Sequence, residues 1–197
     1  MARSSLPTAD KYDAILEAAL RLFVTRGFHG TAVPDVARKA GVAAGTIYHY
    51  FPSKEALVNA LYRKWKEAIA RAVYTAFPVD GPPREQFAVM WREMATFASE
   101  HPEAFVFLEL HHHGSYLDAE SQRLENGLKE FGAAFVRRAQ ASGALKHMDP
   151  VLLMELIFGA FIGMIRARWE GRLTLDAAAI AAAEAACWDA VAARPAA

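Results

Sequence analysis

The chain has 197 residues, 54% of them hydrophobic and 22% charged, and these fractions exclude a disordered or collagen-like protein. A single cysteine, Cys187, excludes an internal disulfide and is typical of a reducing compartment. The formal net charge is zero, but residues 1–66 hold ten basic against five acidic residues, and the rest of the chain is net −5. This asymmetry predicts a polyanionic partner for the first third, with chance clustering as the alternative.

Helical periodicity extends along almost the whole sequence, and no strand-like alternation is sustained. Capping residues, glycines and prolines mark where the helices begin and end. The expected helices cover residues 9–25, 33–40, 43–50, 54–76, 85–100, 102–112, 120–142, 151–169 and 175–193. The sequence therefore predicts an all-α fold of nine helices.

One stretch rich in proline and glycine, residues 77–83, is the clearest linker in the chain. It follows the fourth expected helix and places a domain boundary between residues 68 and 83. We predict an N-terminal domain over residues 1–68 and a helical C-terminal domain over residues 69–197.

The helix expected over residues 151–169 is apolar around nearly its whole circumference, so it must be covered on all sides. Gly159 and Gly163 leave a smooth strip along it where another backbone can approach closely. One interpretation is a central helix enclosed within a single subunit. We favour the other, a homodimer in which residues 150–169 and 175–193 form a four-helix bundle with a second copy.

No membrane-spanning helix is predicted. The longest apolar run, residues 151–165, contains Glu155 and is 15 residues long, short of the ~20 that a spanning helix needs. The first residues of the chain lack the apolar stretch of a signal peptide. We therefore expect a cytoplasmic protein.

Residues 31–51 carry the most informative pattern, two short helices separated by a glycine-containing turn. Gly41 permits the tight reversal, Ala37 is small where the helices touch, and Ile47 points inward. In a helix-turn-helix motif the second helix enters the major groove. The residues expected to face DNA are Ala44, Gly45, Thr46, Tyr48, His49 and Tyr50. Lys54 is expected to bind a phosphate at the start of the next helix.

The run from Ile15 to Leu61 closely resembles the N-terminal domain of the TetR family, the tetracycline-repressor-like bacterial transcriptional regulators. The matching segments are Gly27-Phe28, Asp35-Val36-Ala37, Ala40-Gly41-Val42, Gly45-Thr46-Ile47-Tyr48, Tyr50-Phe51 and Ser53-Lys54-Glu55-Ala56-Leu57. The resemblance implies a three-helix DNA-binding domain followed by a helical domain for ligand binding and dimerisation. It also implies a homodimer that binds a near-palindromic double-stranded operator.

The resemblance implies the same DNA contacts from the second helix of the motif and from Lys54. In many family members two adjacent hydroxyl residues begin the first helix of the motif, and one of them grips a phosphate. Thr31 and Ala32 stand at these positions here. That contact is therefore either made by Thr31 or missing.

The resemblance further implies a C-terminal pocket for a small-molecule inducer whose binding alters DNA affinity. Such a pocket is expected to be mostly apolar with a few polar anchors. The candidates are Trp91, Met94, Phe105, Leu108, His112, Tyr116, Phe131, Phe158 and Arg166, and ordinary core packing is the alternative for each. We predict a repressor; an activator or ligand-blind regulator of the same fold is the first alternative, and a helical small-molecule- or metal-binding protein is the second.

Three consecutive histidines, His111 to His113, raise the question of a metal site. Neighbouring helical residues point about 100° apart, so all three cannot converge on one ion. We predict a scaffold role, with ligand contact as the alternative, and no metal. The sequence shows no glycine-rich phosphate loop, nucleophile elbow or Cys-His pair at a recognisable spacing, so we expect neither an enzyme nor a cofactor.

Overall fold

The computed structural model describes residues 8–111 and 113–193. This part of the chain contains nine α-helices, and its β-structure is limited to one isolated bridge between Leu145 and Ala192. The helices are α1 (Thr8–Arg26), α2 (Val33–Ala40), α3 (Ala44–Tyr50), α4 (Lys54–Ala76), α5 (Pro83–Glu100), α6 (Pro102–Leu110), α7 (Ala119–Ala141), α8 (Pro150–Trp169) and α9 (Ala177–Val191). The predicted all-α class is confirmed.

Side-chain caps explain where several helices begin. The Ser53 hydroxyl accepts a hydrogen bond from Ala56 N at 3.1 Å and starts α4. Asp149 accepts from the second and third amides of α8 at 2.9 and 3.0 Å, and Pro150 needs no acceptor there. Asp176 accepts from Ala179 N at 2.7 Å, so α9 begins at Ala177 rather than at residue 175.

The first of two compact units contains the described residues up to Lys66 together with residues 103–122. An apolar stripe on α1 forms its core, with Ile15, Ala18, Ala19, Leu22 and Phe23 all buried. Residues 103–122 belong to this unit although the predicted boundary assigned them to the C-terminal domain. All of residues 104–108 are buried, and the Phe107 ring stacks on Phe23 with centroids 6.1 Å apart.

The second compact unit contains residues 67–102 and the described residues from Arg123 onward. Its centre is Trp91 of α5, whose ring lies 5.9 Å from Phe87 and 5.0 Å from Phe161. Arg84 of α5 makes two hydrogen bonds to the Glu184 carboxylate of α9, at 2.6 and 2.8 Å. These contacts hold α5, α8 and α9 together.

Most of α8 is uncovered in the isolated chain. Only Leu153, Phe161 and Ile165 of this helix are buried. Among the described residues, α8 alone is long and apolar enough to cross a membrane by length and composition, and 17% of its apolar window is buried. The interpretation of this helix as a central helix enclosed by one chain is therefore wrong.

Candidate nucleic-acid interface

α2 and α3 are joined by a tight turn that favours glycine. Gly41 lies in the left-handed region with φ of 70° and ψ of 27°. The next amide, Val42 N, donates to Ala37 O at 3.0 Å. Val36 and Ile47 are buried at 1% exposure, which fixes α3 in the unit through its inner face. The outer face of α3 is left open.

The start of α3 carries small residues. Ala44 and Gly45 are exposed, and Thr46 is half-buried. A Cβ added to Gly45 would meet nothing within 4 Å. Packing within the chain therefore does not require glycine at this position, and the helix start leaves room for the close approach of another molecule.

Further along α3, aromatic side chains form the exposed face. Tyr48 is 53% exposed, and His49 is also exposed. Tyr50 is half-buried because its ring packs edge-on against Tyr12 of α1, with centroids 5.9 Å apart. The His49 ring lies 5.4 Å from that of Tyr50. One short helix thus presents two aromatic side chains to solvent, supported by a third.

The structure corrects the expectation that Thr31 grips a phosphate. Thr31 is 1% exposed. Its hydroxyl hydrogen-bonds to Leu22 O and Gly27 O, at 3.1 and 2.8 Å. The side chain therefore closes the turn between α1 and α2, residues 27–32, instead of facing outward.

Lys54 has a different environment from the one that the sequence suggested. Its ammonium donates to Phe28 O at 2.9 Å and to Thr31 O at 3.1 Å. The same nitrogen lies 4.1 Å from the centroid of the Phe28 ring, a cation–π contact. Two of its three N–H groups are therefore used to hold the turn between α1 and α2, and one remains for a phosphate.

We expect Lys54→Ala to destabilise the fold, because two backbone carbonyls lose a charged donor. Hydrogen bonds to charged groups contribute about 1.5–3 kcal/mol, and we expect a loss of this order in the free energy of unfolding in urea. Lys39→Ala, on an exposed residue of α2, serves as the control and should stay within about 0.5 kcal/mol. Equal stability of the two variants would contradict the structural role of Lys54.

Sequence reasoning missed basic residues at the end of α2. Arg38 and Lys39 are both exposed. Arg38 pairs with Asp35, which also accepts from Arg26 at 3.1 Å. The signal was present as two adjacent basic residues just before Gly41 in the motif. They lie next to the turn that leads into α3, and they add positive charge there.

Comparison with known protein families shows which family the helix-turn-helix and the second unit belong to. Residues 15–61 match the family model described as bacterial regulatory proteins, tetR family, and residues 62–193 match the tetracyclin repressor-like C-terminal domain. Together the two models cover both compact units. The chain belongs to the TetR family.

Relatives and solved structures agree with the TetR assignment. The HTH-type transcriptional regulator RutR of Escherichia coli is 31% identical over 160 residues, which are 80% of this chain and 75% of that protein. The fatty acid metabolism regulator protein of Bacillus subtilis is 28% identical over 152 residues, 76% of this chain and 78% of that one. A TetR family transcription regulator from Marinobacter aquaeolei superposes with a TM-score of 0.83 at 27% identity, covering 94% and 97% of the two chains.

The protein is thus a ligand-responsive, DNA-binding transcriptional regulator of the TetR family, with a helix-turn-helix formed by α2 and α3. The predicted family, fold and general function are confirmed. TetR regulators bind DNA and small molecules and act as dimers. The individual DNA contacts of this member stay predictions.

The structure divides the predicted ligand residues of this TetR protein between the two units. Phe105, Leu108 and Tyr116 belong to the first unit, where Phe105 and Leu108 are buried core residues. The others belong to the second unit: Trp91, Met94, Phe131, Phe158 and Arg166. Arg166 is exposed. His112 lies outside the described residues.

Among the second-unit candidates, Trp91 and Phe131 have the most extensive aromatic contacts. Trp91 is 2% exposed, and its indole N–H has no acceptor in the described part of the chain. Phe131 packs edge-on against Tyr74 and Phe77, with centroids 4.7 and 5.0 Å away. Burial raises the pKa of the Tyr74 phenol, so it stays neutral at physiological pH.

A groove of about 480 Å³ opens between α8 and α9. Its lining is almost entirely small or apolar: Trp91, Leu156, Ala160, Met164, Ala183, Ala186, Cys187, Ala190 and Val191. Of the predicted ligand residues, this groove includes Trp91. Half of the other lining residues are alanines, which sequence reasoning did not find because alanine carries no chemical signal of its own.

The two described histidines of the cluster, His111 and His113, both interact with the surrounding protein backbone. His113 is buried, and its Nε2 contacts Phe107 O while its Nδ1 lies 2.8 Å from the Tyr116 hydroxyl. Burial lowers the pKa of His111, against a hydrogen bond to the backbone of Val24 that raises it. No group of three potential metal ligands occurs in residues 8–111 and 113–193.

Proposed function

We propose that the protein is a homodimeric repressor that binds a near-palindromic operator and is released from it by a small, largely apolar molecule. The two α3 helices would enter major grooves ~34–36 Å apart along the DNA. The main support for the dimer is the exposed apolar face that α8 and α9 form in the single chain. Membership of the TetR family supports the operator and the ligand.

The exposed stripe of α8 has the composition of a helix-packing surface. Leu152 and Leu156 are 51% and 53% exposed and lie one turn apart. Gly159, Ala160 and Gly163 continue the same stripe and are exposed as well. Small residues let a second helix approach closely, while the leucines supply apolar area.

α9 presents a matching surface. Its exposed apolar positions recur at helical spacing and are all alanines: Ala177, Ala178, Ala181, Ala182, Ala185, Ala186 and Ala190. The groove between α8 and α9 separates the two stripes. A second copy, placed by a two-fold axis, would cover α8 and α9 with its own α8 and α9 and complete a four-helix bundle.

A membrane is a poorer partner for this surface than a second copy. α8 carries Arg166 and Arg168 in its last turn and Glu155 in its middle. Its buried side, through Phe161, packs on Trp91 of α5. Because its relatives regulate transcription, we propose that the protein works in the cytoplasm, by binding rather than catalysis.

For the operator we propose contacts from the outer face of α3: Ala44, Gly45, Thr46, Tyr48, His49 and Tyr50. The open space at Gly45 and the exposure of Tyr48 support this face. Lys54 would add one phosphate contact through its remaining N–H. Thr31 is not included, because its hydroxyl is buried.

Selection of DNA from a random duplex library, followed by sedimentation of protein and complex, tests the proposal. We expect the protein to sediment as a dimer at micromolar concentration and to enrich an inverted repeat with half-sites about 10 base pairs apart or a multiple of that spacing. A monomeric protein that enriches no sequence at low salt would contradict the proposed function.

The ligand proposal is supported by the apolar second unit and by the buried, unpaired indole N–H of Trp91. A ligand with an apolar body and one hydrogen-bond acceptor would satisfy that donor. The fatty acid metabolism regulator among the relatives suggests fatty acids as the first panel. Release of the selected duplex by one of them, and not by sugars or amino acids of similar concentration, is the expected result.

The thiol of Cys187 offers a probe of the dimer. Cys187 is half-buried and lines the groove. Burial, together with the nearby Glu184 carboxylate, raises its pKa, so little thiolate forms at neutral pH. We expect labelling by a thiol reagent at pH 7.5 to be severalfold slower in the wild-type protein than in a folded monomeric variant. Equal rates in the two proteins would place Cys187 outside the interface.

A further inference from the structure

The turn before α7, residues 113–118, contacts the turn between α1 and α2. The Tyr116 ring stacks on the Phe28 ring, with centroids 4.2 Å apart and planes 18° from parallel. Phe28 is also the residue whose ring and carbonyl contact the Lys54 ammonium. One aromatic side chain therefore links a segment that follows α6 to the start of α4.

Tyr116 is held in place at both its side chain and its backbone. His113 Nε2 faces a carbonyl, that of Phe107, so this nitrogen carries the proton. His113 Nδ1 is then an acceptor, and the Tyr116 hydroxyl donates to it at 2.8 Å. At the backbone, Asn59 Nδ2 donates to Tyr116 O at 2.8 Å. Burial raises the pKa of the Tyr116 phenol, so the hydroxyl remains a donor at neutral pH.

Asn59 of α4, which is 2% exposed, makes a second bond to the same turn: its Oδ1 accepts from Asp118 N at 2.8 Å. Its Nδ2 also donates within α4, to Glu55 O at 2.8 Å. An amide with both ends satisfied inside a protein tolerates little displacement. The position of Tyr116 along α4 is fixed by these bonds.

Two ion pairs extend this connection along one face of α4. Arg63 contacts Asp118 at 2.8 Å, and Lys66 contacts Glu109 at 2.7 Å. Both members of the second pair are close to fully buried, at 8% and 11% exposure. Residues 59, 63 and 66 follow helical spacing, so Glu109 and Asp118 both lie along one side of the helix that begins with Lys54.

We infer that Tyr116 is a positioning residue for operator binding: by stacking on Phe28 it fixes the turn between α1 and α2 and the ammonium of Lys54. This inference rests on the proposed function, in which α3 and Lys54 face DNA. The turn leads directly into α2, and α2 carries α3 through Val36 and Ile47. Tyr116 therefore acts on the DNA-facing surface without touching DNA, and it is reassigned from the ligand candidates to this role.

A double-mutant cycle between Tyr116 and Phe28 tests the inference. The probe is the labelled duplex that the wild-type protein selects from a random library, with a scrambled duplex of equal length for non-specific binding. Fluorescence anisotropy in ligand-free buffer gives both dissociation constants for Tyr116→Leu, Phe28→Leu and the double variant. Circular dichroism and sedimentation establish that each variant is folded and dimeric under the same conditions.

We expect each single substitution to weaken specific binding roughly tenfold, the upper range for a lost aromatic pair. Because both remove the same contact, the double variant should bind about as well as the weaker single variant. Non-specific binding should change less, so the specificity ratio falls. Tyr74→Leu, which removes a tyrosine of the second unit that also contacts an aromatic ring, that of Phe131, is the control and should leave both constants unchanged.

Several outcomes would overturn the inference. The first is a folded Tyr116→Leu variant that binds the operator with wild-type affinity. The second is a double variant whose loss of affinity equals the product of the two single losses. The third is a Tyr116→Leu variant whose response to ligand changes while its ligand-free operator affinity does not. If Tyr116→Leu does not fold, Tyr116→Phe is measured instead: it keeps the stack on Phe28 and loses the bond to His113, so we expect nearly wild-type operator affinity, and a tenfold loss would contradict positioning by the stack. Failure of the wild-type protein to select any duplex would instead refute the proposed function itself.

Discussion

Leu156→Glu is expected to convert the dimer into a monomer and to abolish specific operator binding. Leu156 lies in the middle of the exposed stripe of α8 and lines the groove beside α9. In a two-fold interface its symmetry mate carries the same substitution, so two carboxylates would be buried without partners. The folded chain alone is not affected in this way, because the position is 53% exposed before association.

The size of this effect follows from the cost of burying charge. An unpaired charge in an interior costs about 3–5 kcal/mol, and 1.4 kcal/mol is tenfold in an equilibrium constant. We expect the dissociation constant of the dimer to rise at least ~100-fold. Operator affinity should fall by a similar factor or more, because a monomer bound to one half-site no longer holds a second DNA-binding domain next to the other half-site.

Sedimentation equilibrium and anisotropy with the selected duplex measure the two quantities. Thr96→Glu places the same charge on an exposed position of α5 and should leave both unchanged. Retention of the dimer by Leu156→Glu would show that another surface joins the subunits. Loss of the dimer with intact operator affinity would show that a single chain suffices for recognition.

Tyr48→Ala is expected to produce the largest loss among substitutions on α3. Tyr48 is the most exposed large hydrophobic side chain of the first unit, and its removal leaves the core of the unit intact. A side chain that reads a base contributes about 1–3 kcal/mol of discrimination. Because a dimer carries two copies, we expect the operator dissociation constant to rise between ~30-fold and ~20,000-fold.

Two measurements distinguish a sequence-specific base contact from electrostatic attraction to the DNA phosphates. Titration at several salt concentrations should give Tyr48→Ala the wild-type salt slope, whereas Lys39→Ala should lower the slope if that lysine neutralises a phosphate. Repeating the library selection with Tyr48→Ala should give a relaxed preference at one position of each half-site. A wild-type dissociation constant in Tyr48→Ala would remove this residue from the interface.

Local signals in the sequence were sufficient for the helices and for the motif. Ile47 is buried as predicted, and the apolar stripe from Ile15 to Phe23 is buried as well, because apolar spacing directly reflects which face of a helix packs. Gly41 adopts the left-handed conformation that the expected turn requires. Asp149 and Ser53 cap α8 and α4, since capping depends on residues only two or three positions away.

The groups that sequence reasoning described incompletely have partners distant in sequence. Lys54 is predicted to bind a phosphate, and the structure adds two acceptors for it, Phe28 O and Thr31 O, which lie 26 and 23 residues earlier. The hydroxyl of Thr31, one of the two alternatives for a phosphate contact, is turned toward Leu22 O of α1 and Gly27 O. Tyr116 is predicted to be a ligand residue, and its ring stacks on Phe28, which lies before α2 in the chain. No periodicity or composition reports such pairings.

The discontinuity of the first unit has a consequence for engineering hybrid regulators. A fragment ending at residue 68 would leave Asn59 and Lys66 without the carbonyl, amide and carboxylate that now satisfy them. It would also expose Phe23, which Phe107 now covers. A chimera designed to respond to a new ligand should therefore take residues 103–122 from the same parent as the helix-turn-helix. The second parent should supply residues 67–102 and the residues from Arg123 onward.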